Sequence, residues 1–299
     1  MQSILFTGAS GFLGSNILSL LKTNYEVDTL ALDANATYNI NLVNDDVHLN
    51  KRYDIVLHAA GKAHVVPKTD EEIKLFYDIN YEGTKKICSS LEGSGVPKSF
   101  IFISTVAVYG CDFGEDITEE HPLDGDTPYA KSKIMAEEYL KNWCNNHNVI
   151  LTILRPSLLA GKNAPGNLGA MVNGIKTGRY LSIAGGKARK SVMMVDDIAN
   201  LIPLVADKGG IFNVCDSHHP TFRELEQIVS SQLHKKPPRS IPMWIAKCLA
   251  FCGNILGAKA PINSLKLKKI TESLTFSNAK AVKELGWTPI NVIENYKIS

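Results

Sequence analysis

Two side chains that can exchange protons, the phenol of Tyr129 and the ammonium of Lys133, are four residues apart in the chain. On a helix this spacing places both of them on one face. Thr105 adds a hydroxyl directly after the strand-like run 99–104, and a glycine-rich turn occupies residues 7–14. A phenol, an ammonium, a hydroxyl and a turn able to hold a dinucleotide are the groups needed to move a hydride and a proton at a carbinol carbon.

Proton transfer by Tyr129 depends on its pKa, because a free tyrosine has a pKa of about 10 and is a poor base at neutral pH. An ammonium about 4 Å away contributes about 4 kcal/mol at an effective dielectric constant of about 20. The sequence therefore predicts that Lys133 lowers the pKa of Tyr129 toward neutrality. The alternative is that the two residues form a solvated pair on a surface helix.

The glycine-rich turn follows a buried-strand pattern at Ser3–Thr7 and opens a helical pattern over residues 12–22. Glycine permits a positive φ and lets backbone N–H groups approach a pyrophosphate, and the helix N-terminus adds partial positive charge. In this context the turn predicts a dinucleotide site. The residues that we assign to it are Gly8, Ser10, Gly11, Phe12, Leu13 and Gly14.

Asp33 ends the second strand pattern, nineteen residues after Gly14. A carboxylate at that point accepts hydrogen bonds from an adenosine ribose and repels a 2′-phosphate. Asp33 therefore favours NAD over NADP, without excluding NADP. The alternative is an aspartate that only initiates the turn before Ala34.

Strand-like and helix-like segments alternate through the first half of the chain. Further strands are predicted at 54–60, 99–104 and 149–155, and helices at 70–91 and 129–145. This alternation predicts right-handed βαβ units, and so an α/β fold with a doubly wound parallel sheet covered on both faces.

The regular alternation stops after Pro156, where glycine-rich segments begin. We therefore expect a dinucleotide-binding domain at 1–157 and a smaller C-terminal α/β substrate-binding domain at 158–299. Residues 190–215 are expected to return to the first domain, with a strand at Gly210–Val214 joining its sheet.

The composition, 44% apolar and 21% charged with a formal net charge of +2, is typical of a soluble globular protein and argues against nucleic acid as a partner. The six cysteines lack zinc spacing, so we expect reduced, buried thiols, no metal and a cytoplasmic location. No signal-peptide pattern is present. The apolar run 241–257 contains Lys247 and is too short for a membrane span. A core or interface helix is expected there, and a peripheral membrane helix is the alternative.

Further motifs follow the glycine turn in a fixed order. They are His58-Ala59-Ala60-Gly61, Asn80-x-x-Gly83-Thr84, Ser104-Thr105, Tyr129-x-x-x-Lys133, Arg155-Pro156, Asn167-Leu168, Arg189 before Val195-x-Asp197, and Leu285-Gly286-Trp287. With this set the chain resembles the extended short-chain dehydrogenase/reductases, and in particular the nucleotide-sugar epimerase/dehydratase/reductase group. The resemblance covers nearly the whole length and implies a Rossmann-type fold.

The resemblance implies roles for particular residues. The catalytic residues would be Thr105, Tyr129 and Lys133. Besides the glycine turn and Asp33, the cofactor would contact Asn41, Leu42, Ala59, Ala60, Gly61, Asn80, Ser104, Tyr129, Lys133 and Pro156. A nucleotide sugar, with a UDP-sugar favoured, would contact Thr105, Asn167, Leu168, Arg189 and Lys268. The family's second phosphate-binding arginine has no clear match here, and Lys266, Lys268 or Lys269 would take its place.

Three functions are compatible with this resemblance. Dehydratases of the group carry carboxyl groups where Val106 and Ala107 follow Thr105, so dehydration is disfavoured. The preferred expectation is a 4-keto reductase of a nucleotide-linked 4-keto-6-deoxy sugar. The alternatives are a 4-epimerase of the UDP-glucose or UDP-N-acetylglucosamine type and a non-catalytic NAD(P)-binding regulator.

The resemblance also implies a homodimer and a setting in polysaccharide biosynthesis. The dimer would pair the helices predicted at 70–91 and 129–145 into a four-helix bundle. An apolar stripe on the second helix, formed by Ala136, Tyr139, Leu140 and Trp143, would serve that interface. The alternative is that the stripe faces the sheet of its own chain.

Overall fold

The computed structural model describes residues 1–256 and 262–298 of the chain. Its strands are β1 (Ser3–Thr7), β2 (Glu26–Ala31), β3 (Tyr38–Asn39), β4 (Ile55–His58), β5 (Ser99–Ile103), β6 (Gly114–Ile117), β7 (Ile150–Pro156), β8 (Leu158–Ala160), β9 (Ser182–Ile183), β10 (Val192–Met194), β11 (Gly210–Val214), β12 (Ser240–Ile241) and β13 (Leu274–Phe276). Its α-helices are α1 (Phe12–Leu21), α2 (Asp70–Tyr77), α3 (Gly83–Ser94), α4 (Pro128–Asn146), α5 (Gly166–Lys176), α6 (Asp197–Val205), α7 (Phe222–Gln232), α8 (Met243–Leu256), α9 (Ser264–Thr271), α10 (Ala279–Leu285) and α11 (Val292–Asn295).

Seven strands form one parallel sheet in the order β11-β7-β5-β4-β1-β2-β3. The order reverses next to β1, so the carboxyl ends of β1 and β4 open a crevice of the kind that binds ligands in doubly wound folds. The α/β fold with a parallel sheet is confirmed. The strand predicted at Gly210–Val214 joins this sheet, pairing in parallel with β7.

Alternate residues of each strand point to opposite faces, which explains the continuous apolar runs in the strands. One face of the sheet packs against α1, α6 and α10, and the other packs against α3 and α4. In β1, for example, Ile4 and Phe6 lie in the first cluster and Leu5 lies in the second. The helices α5, α7 and α11 pack around a third apolar cluster formed by the C-terminal half of the chain.

The segment predicted as a helix at 70–91 is helical throughout, but the type of helix changes in its middle. A π-helical segment, Asp78–Glu82, separates α2 from α3 and contains the buried Asn80. The proposed interface stripe on α4 is also corrected, because Ala136, Leu140 and Trp143 are buried in the cluster against the sheet. These three side chains are apolar because they cover their own sheet.

Two expectations about cysteines and about the run 241–257 need correction. Cys88, Cys144 and Cys215 are buried, but Cys248 and Cys252 on α8 are exposed. α8 is not a core helix, because only a narrow face of it is buried. In the part of the chain that the structure describes, no helix is long and apolar enough to cross a membrane. No group of three or more metal-ligating side chains was found among those residues.

Candidate active site

Thr105 and Tyr129 meet where β5 ends and α4 begins. Thr105 caps the 3-10 turn Val106–Tyr109 by accepting a hydrogen bond from the N–H of Ala107 at 3.1 Å. α4 begins at Pro128, which suits the first helical position because its φ is fixed. The Thr105 hydroxyl lowers the pKa of the Tyr129 phenol, which requires the two side chains to lie close together. The structure thus brings together the hydroxyl and the phenol that the sequence assigns to one reaction.

Lys133 lies one turn further along α4 and is only 4% exposed. Its ammonium donates a hydrogen bond to the carbonyl of Ile103 at 2.8 Å and lies 4.5 Å from the centre of the Phe102 ring. Burial lowers the pKa of Lys133 to about 8, and the Glu137 carboxylate acts in the opposite direction. Lys133 is therefore charged at neutral pH but loses its proton far more easily than an exposed lysine.

The pKa of Tyr129 differs from the prediction. Burial raises this pKa above its ordinary value, and the hydrogen bond with Thr105 offsets only part of that rise. The Lys133 charge does not lower it, because the ammonium is held at the Ile103 carbonyl and over the Phe102 ring. In the protein chain alone, Tyr129 is a neutral phenol at pH 7 and a proton donor rather than a base.

The glycine turn forms a close-packed cradle. Gly8 has a φ of +77°, and a Cβ there would lie 2.6 Å from the backbone N of Ala60. A Cβ at Gly14 would lie 2.2 Å from the carbonyl oxygen of Ala9, so the start of α1 can approach the turn only without a side chain. Only glycine permits these close approaches of one backbone segment to another. Of the other residues assigned to the turn, Ser10 and Gly11 are exposed, Phe12 is half-buried and Leu13 is buried in the core.

Gly61, Asn80 and Lys133 adjoin one another behind the cradle. A Cβ at Gly61 would lie 3.0 Å from Asn80 Oδ1 and 3.3 Å from Lys133 Nζ. Asn80 accepts a hydrogen bond from the N–H of Lys62 at 2.6 Å and donates one to the Ser132 hydroxyl at 2.9 Å. The π-helical segment therefore ties the loop after β4 to the helix that carries Tyr129 and Lys133. Ala59 lies in the same loop and donates its N–H to β1.

The residues assigned to the adenosine end have structural partners. Asp33 Oδ1 accepts a hydrogen bond from the N–H of Asn35 at 2.8 Å, as in the turn-initiating alternative. Asn41 Oδ1 accepts a hydrogen bond from the N–H of Val43 at 3.0 Å. The Leu42 side chain is buried in the core. A cofactor contact from Leu42 would therefore have to come from its backbone.

Sequence reasoning missed a buried polar network behind the catalytic residues. Ser104, which the sequence assigns to the cofactor, donates its hydroxyl proton to Glu137. Arg155 donates two hydrogen bonds to the Glu137 carboxylate and one to the Tyr109 hydroxyl, which in turn donates to Asn213 Oδ1 at 2.6 Å. The one available signal was a glutamate four residues after Lys133, on the same helix face.

Comparison with known proteins identifies the family of this chain. Residues 4–215 match the model of the NAD dependent epimerase/dehydratase family. The chain belongs to that family. It is 30% identical over 298 residues to the N-acetyl-alpha-D-glucosaminyl-diphospho-ditrans,octacis-undecaprenol 4-epimerase of Escherichia coli O157:H7, covering 93% of this chain and 88% of that one. It is 25% identical over 316 residues to the UDP-glucose 4-epimerase of Vibrio cholerae, covering 98% and 92%.

Solved structures show the same fold. The UDP-glucose 4-epimerase of Thermotoga maritima, in a structure with UDP-glucose, superposes with a TM-score of 0.72 at 20% identity, covering 98% of this chain and 95% of that one. The UDP-glucuronic acid 4-epimerase of Bacillus cereus, in complex with NAD, superposes with a TM-score of 0.74 at 16% identity, covering 98% and 95%. As a member of the NAD-dependent epimerase/dehydratase family, the chain is an enzyme and its cofactor is NAD. The side-chain-free cradle at Gly8 and Gly14 fits a dinucleotide.

The residues that this family member would use for substrate lie in the C-terminal half. Asn167 is exposed in the first turn of α5, whereas the neighbouring Leu168 is buried in the third apolar cluster. The Arg189 guanidinium donates a hydrogen bond to the His219 carbonyl at 2.8 Å. The Lys268 ammonium lies 4.2 Å from the centre of the exposed Phe113 ring. Pro156, assigned to the cofactor, is buried at the end of β7 opposite β11.

Proposed function

We propose that this enzyme is a 4-epimerase acting on a hexose that is carried by a diphosphate. The observation that carries the proposal is the neighbouring pair Thr105 and Tyr129 at the start of the helix that holds the buried Lys133, since these groups can exchange a proton with a sugar hydroxyl. Val106 and Ala107 follow Thr105, so the carboxyl pair required for water elimination does not stand there. The relatives from E. coli and V. cholerae are both named 4-epimerases.

A 4-keto reductase, the function favoured by the sequence alone, is the competing candidate. Both reactions need the same hydroxyl, phenol and ammonium. An epimerase takes hydride from C4 and returns it to the opposite face, so its cofactor is regenerated within each turnover. A reductase consumes a reduced cofactor in each turnover. The names of the relatives support the epimerase.

The protein's part in the reaction is proton transfer and orientation. NAD, when bound, supplies the acceptor and donor of the hydride. As a phenolate, Tyr129 would take the proton of the C4 hydroxyl, and the phenol so formed would return it to the C4 carbonyl oxygen. The raised pKa of Tyr129 suits the return step, whereas the removal step requires positive charge to lower this pKa once cofactor and substrate are bound. Thr105 orients the same sugar oxygen by hydrogen bonding, and Gly61 leaves space for ligand beside Lys133.

The substrate's diphosphate fits the surroundings of Arg189. Its guanidinium carries five N–H donors, and the His219 carbonyl takes one hydrogen bond, so donors are available for phosphate oxygens. Two carriers are compatible with that chemistry. UDP is the carrier named for the V. cholerae relative, and undecaprenyl diphosphate is the carrier named for the E. coli relative.

We also propose a homodimer, through α2, α3 and the outer face of α4. The stripe predicted from the sequence cannot serve it, since three of its four residues face the sheet. Met135 of α4 is left on the outside, and the half-buried Tyr139 packs edge-to-face on Tyr81, with the ring centres 6.3 Å apart. Sedimentation equilibrium tests this proposal, because a monomer at micromolar concentration contradicts it.

The test of the epimerase proposal begins with the cofactor. The purified protein is denatured after gel filtration and the released nicotinamide is identified. About one NAD per chain supports an epimerase, whereas an empty protein that binds NADH or NADPH reversibly supports the reductase. In parallel, UDP-N-acetylglucosamine and UDP-glucose are incubated with the enzyme, and inversion at C4 is followed by proton NMR. Absence of inversion with every diphosphate-linked hexose tested contradicts the proposal.

A further inference from the structure

α8 is held to the rest of the protein by one narrow face. Ala246 and Ala250 are buried there against Leu267 of α9, with Ile183 and Ile241 packed beside them. Residues at positions i, i+4, i+7 and i+11 share one face of a helix. Small side chains on the buried face let α8 lie close to α9.

The face opposite to this contact is apolar and exposed. Trp244, Phe251 and Ile255 are 68%, 68% and 78% exposed, and the exposed Cys248 lies between them on the same stripe. We call Trp244, Cys248, Phe251 and Ile255 the α8 stripe. An outward helix face in contact with water normally carries polar residues, so a contiguous apolar stripe marks an interaction surface.

The segment of the chain that contains the α8 stripe carries charged residues of one sign. Between Glu226 and Glu272 the sequence contains no Asp or Glu and eight basic residues, which are Lys235, Lys236, Arg239, Lys247, Lys259, Lys266, Lys268 and Lys269. The chain as a whole carries a net charge of only +2, so the remainder is net acidic. Within the described residues, no carboxylate pairs with Lys236, Arg239 or Lys247. A partner that matches this surface is apolar inside and anionic at its rim.

We propose that α8 docks the enzyme on an anionic lipid bilayer, with the α8 stripe seated among the acyl chains and Lys236, Arg239 and Lys247 at the phosphate level. α8 has 14 residues and is about 21 Å long, too short to span the bilayer but suited to lie in its plane. Trp244 is suited to this place because indole partitions to the membrane interface. A lipid surface matches both features, the apolar stripe and the basic excess of the segment that contains it.

The docked orientation places the substrate side of the enzyme near the membrane. α8 packs on Ile183, six residues before Arg189 in the chain. α9, its other support, leads into Ser273, whose hydroxyl accepts a hydrogen bond from the Arg189 N–H at 3.0 Å. If the epimerase proposal holds, which this step requires, the carrier that docking selects is a membrane isoprenoid diphosphate. Its phosphates lie at the headgroup level where Arg189 is presented.

Tryptophan fluorescence tests the docking directly. The chain has three tryptophans, of which Trp143 and Trp287 are buried, so a change on adding vesicles reports on Trp244. We expect a blue shift with vesicles of phosphatidylglycerol and phosphatidylethanolamine, and a weaker one with phosphatidylcholine alone. Phe251→Ser with Ile255→Ser should weaken vesicle binding on the order of 100-fold, from the loss of two buried apolar side chains. Neutralising Lys236, Arg239 and Lys247 to Gln should weaken it tenfold or more, through loss of attraction to anionic lipid.

A matched control is Leu20→Ser with Val282→Ser, which removes two exposed apolar side chains from α1 and α10. This variant should bind vesicles like the parent. Unchanged Trp244 emission with anionic vesicles overturns the proposal. So does a parent protein that self-associates through the α8 stripe, shown by dissociation of an oligomer in the Phe251/Ile255 variant without any vesicle binding.

Parallel turnover assays separate this inference from the proposed function. The Phe251/Ile255 variant should epimerise a soluble UDP-hexose, if the parent does, at the parent's rate. It should lose activity toward an isoprenoid-diphosphate hexose presented in vesicles. If the protein binds vesicles but inverts no substrate at C4, the docking proposal is supported and the epimerase proposal is contradicted. Equal activity of parent and variant toward the vesicle-borne substrate contradicts the link between docking and carrier.

Discussion

The guanidinium of Arg155 donates two hydrogen bonds to the carboxylate of Glu137, from Nε at 3.1 Å and from Nη2 at 2.6 Å, and neither side chain is more than 3% exposed. The pair joins the sheet strand β7 to the helix α4. Glu137 lies one turn after Lys133, and its carboxylate favours the charged form of Lys133. A buried ion pair of this kind specifies the position of the catalytic helix, because either charge alone is costly inside the protein.

Replacing Glu137 by Gln should therefore destabilise the fold strongly. The Arg155 charge would stay buried without its partner, which costs about 3–5 kcal/mol in the free energy of unfolding. Urea denaturation measures this loss. The double variant Glu137→Met with Arg155→Met should be more stable than Glu137→Gln, since no charge is then left alone. As a control, Asp207→Asn breaks an exposed ion pair with Lys98 and should cost less than about 1 kcal/mol.

Tyr129→Phe should fold, retain NAD and lose turnover. The phenyl ring preserves the packing near Phe76, whereas the proton-exchanging oxygen is gone. General acid–base catalysis contributes about 10²–10⁴-fold, and a loss of that size in kcat is expected. Tyr139→Phe on the same helix is the matched control and should keep its activity. Turnover by Tyr129→Phe within about threefold of the parent would remove Tyr129 from the mechanism.

His58 should make the protein acid-sensitive. Its Nδ1 lies 2.6 Å from the Thr7 hydroxyl and its Nε2 lies 2.8 Å from the Thr84 hydroxyl, at a fully buried position. Burial lowers the pKa of His58 to about 3, and the Lys133 charge acts in the same direction. Below about pH 6.5 the unfolded chain binds a proton that the folded protein does not. The stability that the neutral, buried His58 contributes is therefore complete above about pH 6.5 and is lost as the pH falls toward about 3.

The measurement for His58 is the free energy of unfolding at pH 7 and at pH 5. Between these two values it should fall by about 2 kcal/mol less in His58→Gln than in the parent. Any packing defect of the variant lowers the free energy of unfolding by the same amount at both pH values. Parallel slopes for the two proteins would contradict the neutral, buried state of this histidine.

Gly14→Ala should disrupt the cradle. Its Cβ would lie 2.2 Å from the Ala9 carbonyl oxygen, so α1 and the turn must separate. NAD should then be absent from the purified variant, and its melting temperature should fall by several degrees. Gly93→Ala, also in a helix, has nothing within 4 Å of its Cβ and should be neutral or stabilising by up to about 1 kcal/mol. Retention of NAD by Gly14→Ala contradicts the close approach.

The sequence by itself determined the parallel sheet and the chemical groups of the site. Strands such as β5 are apolar throughout because both faces of the sheet are covered, and that pattern can be read without a structure. The glycine turn and the four-residue spacing of Tyr129 and Lys133 are also local in sequence. A turn or one helical face brings such residues together whatever the rest of the chain does, which is why these features were predictable.

Only the tertiary structure decided the electrostatics and the free surfaces. The partner of Glu137 is 18 residues away on another element, so its pairing with Arg155 depends on how β7 meets α4. The raised pKa of Tyr129 follows from burial, and Lys133 is directed to a carbonyl of β5, neither of which spacing can reveal. The apolar residues of α4 face the sheet, while those of α8 face outward. Periodicity shows that an apolar face exists, and only packing shows what covers it.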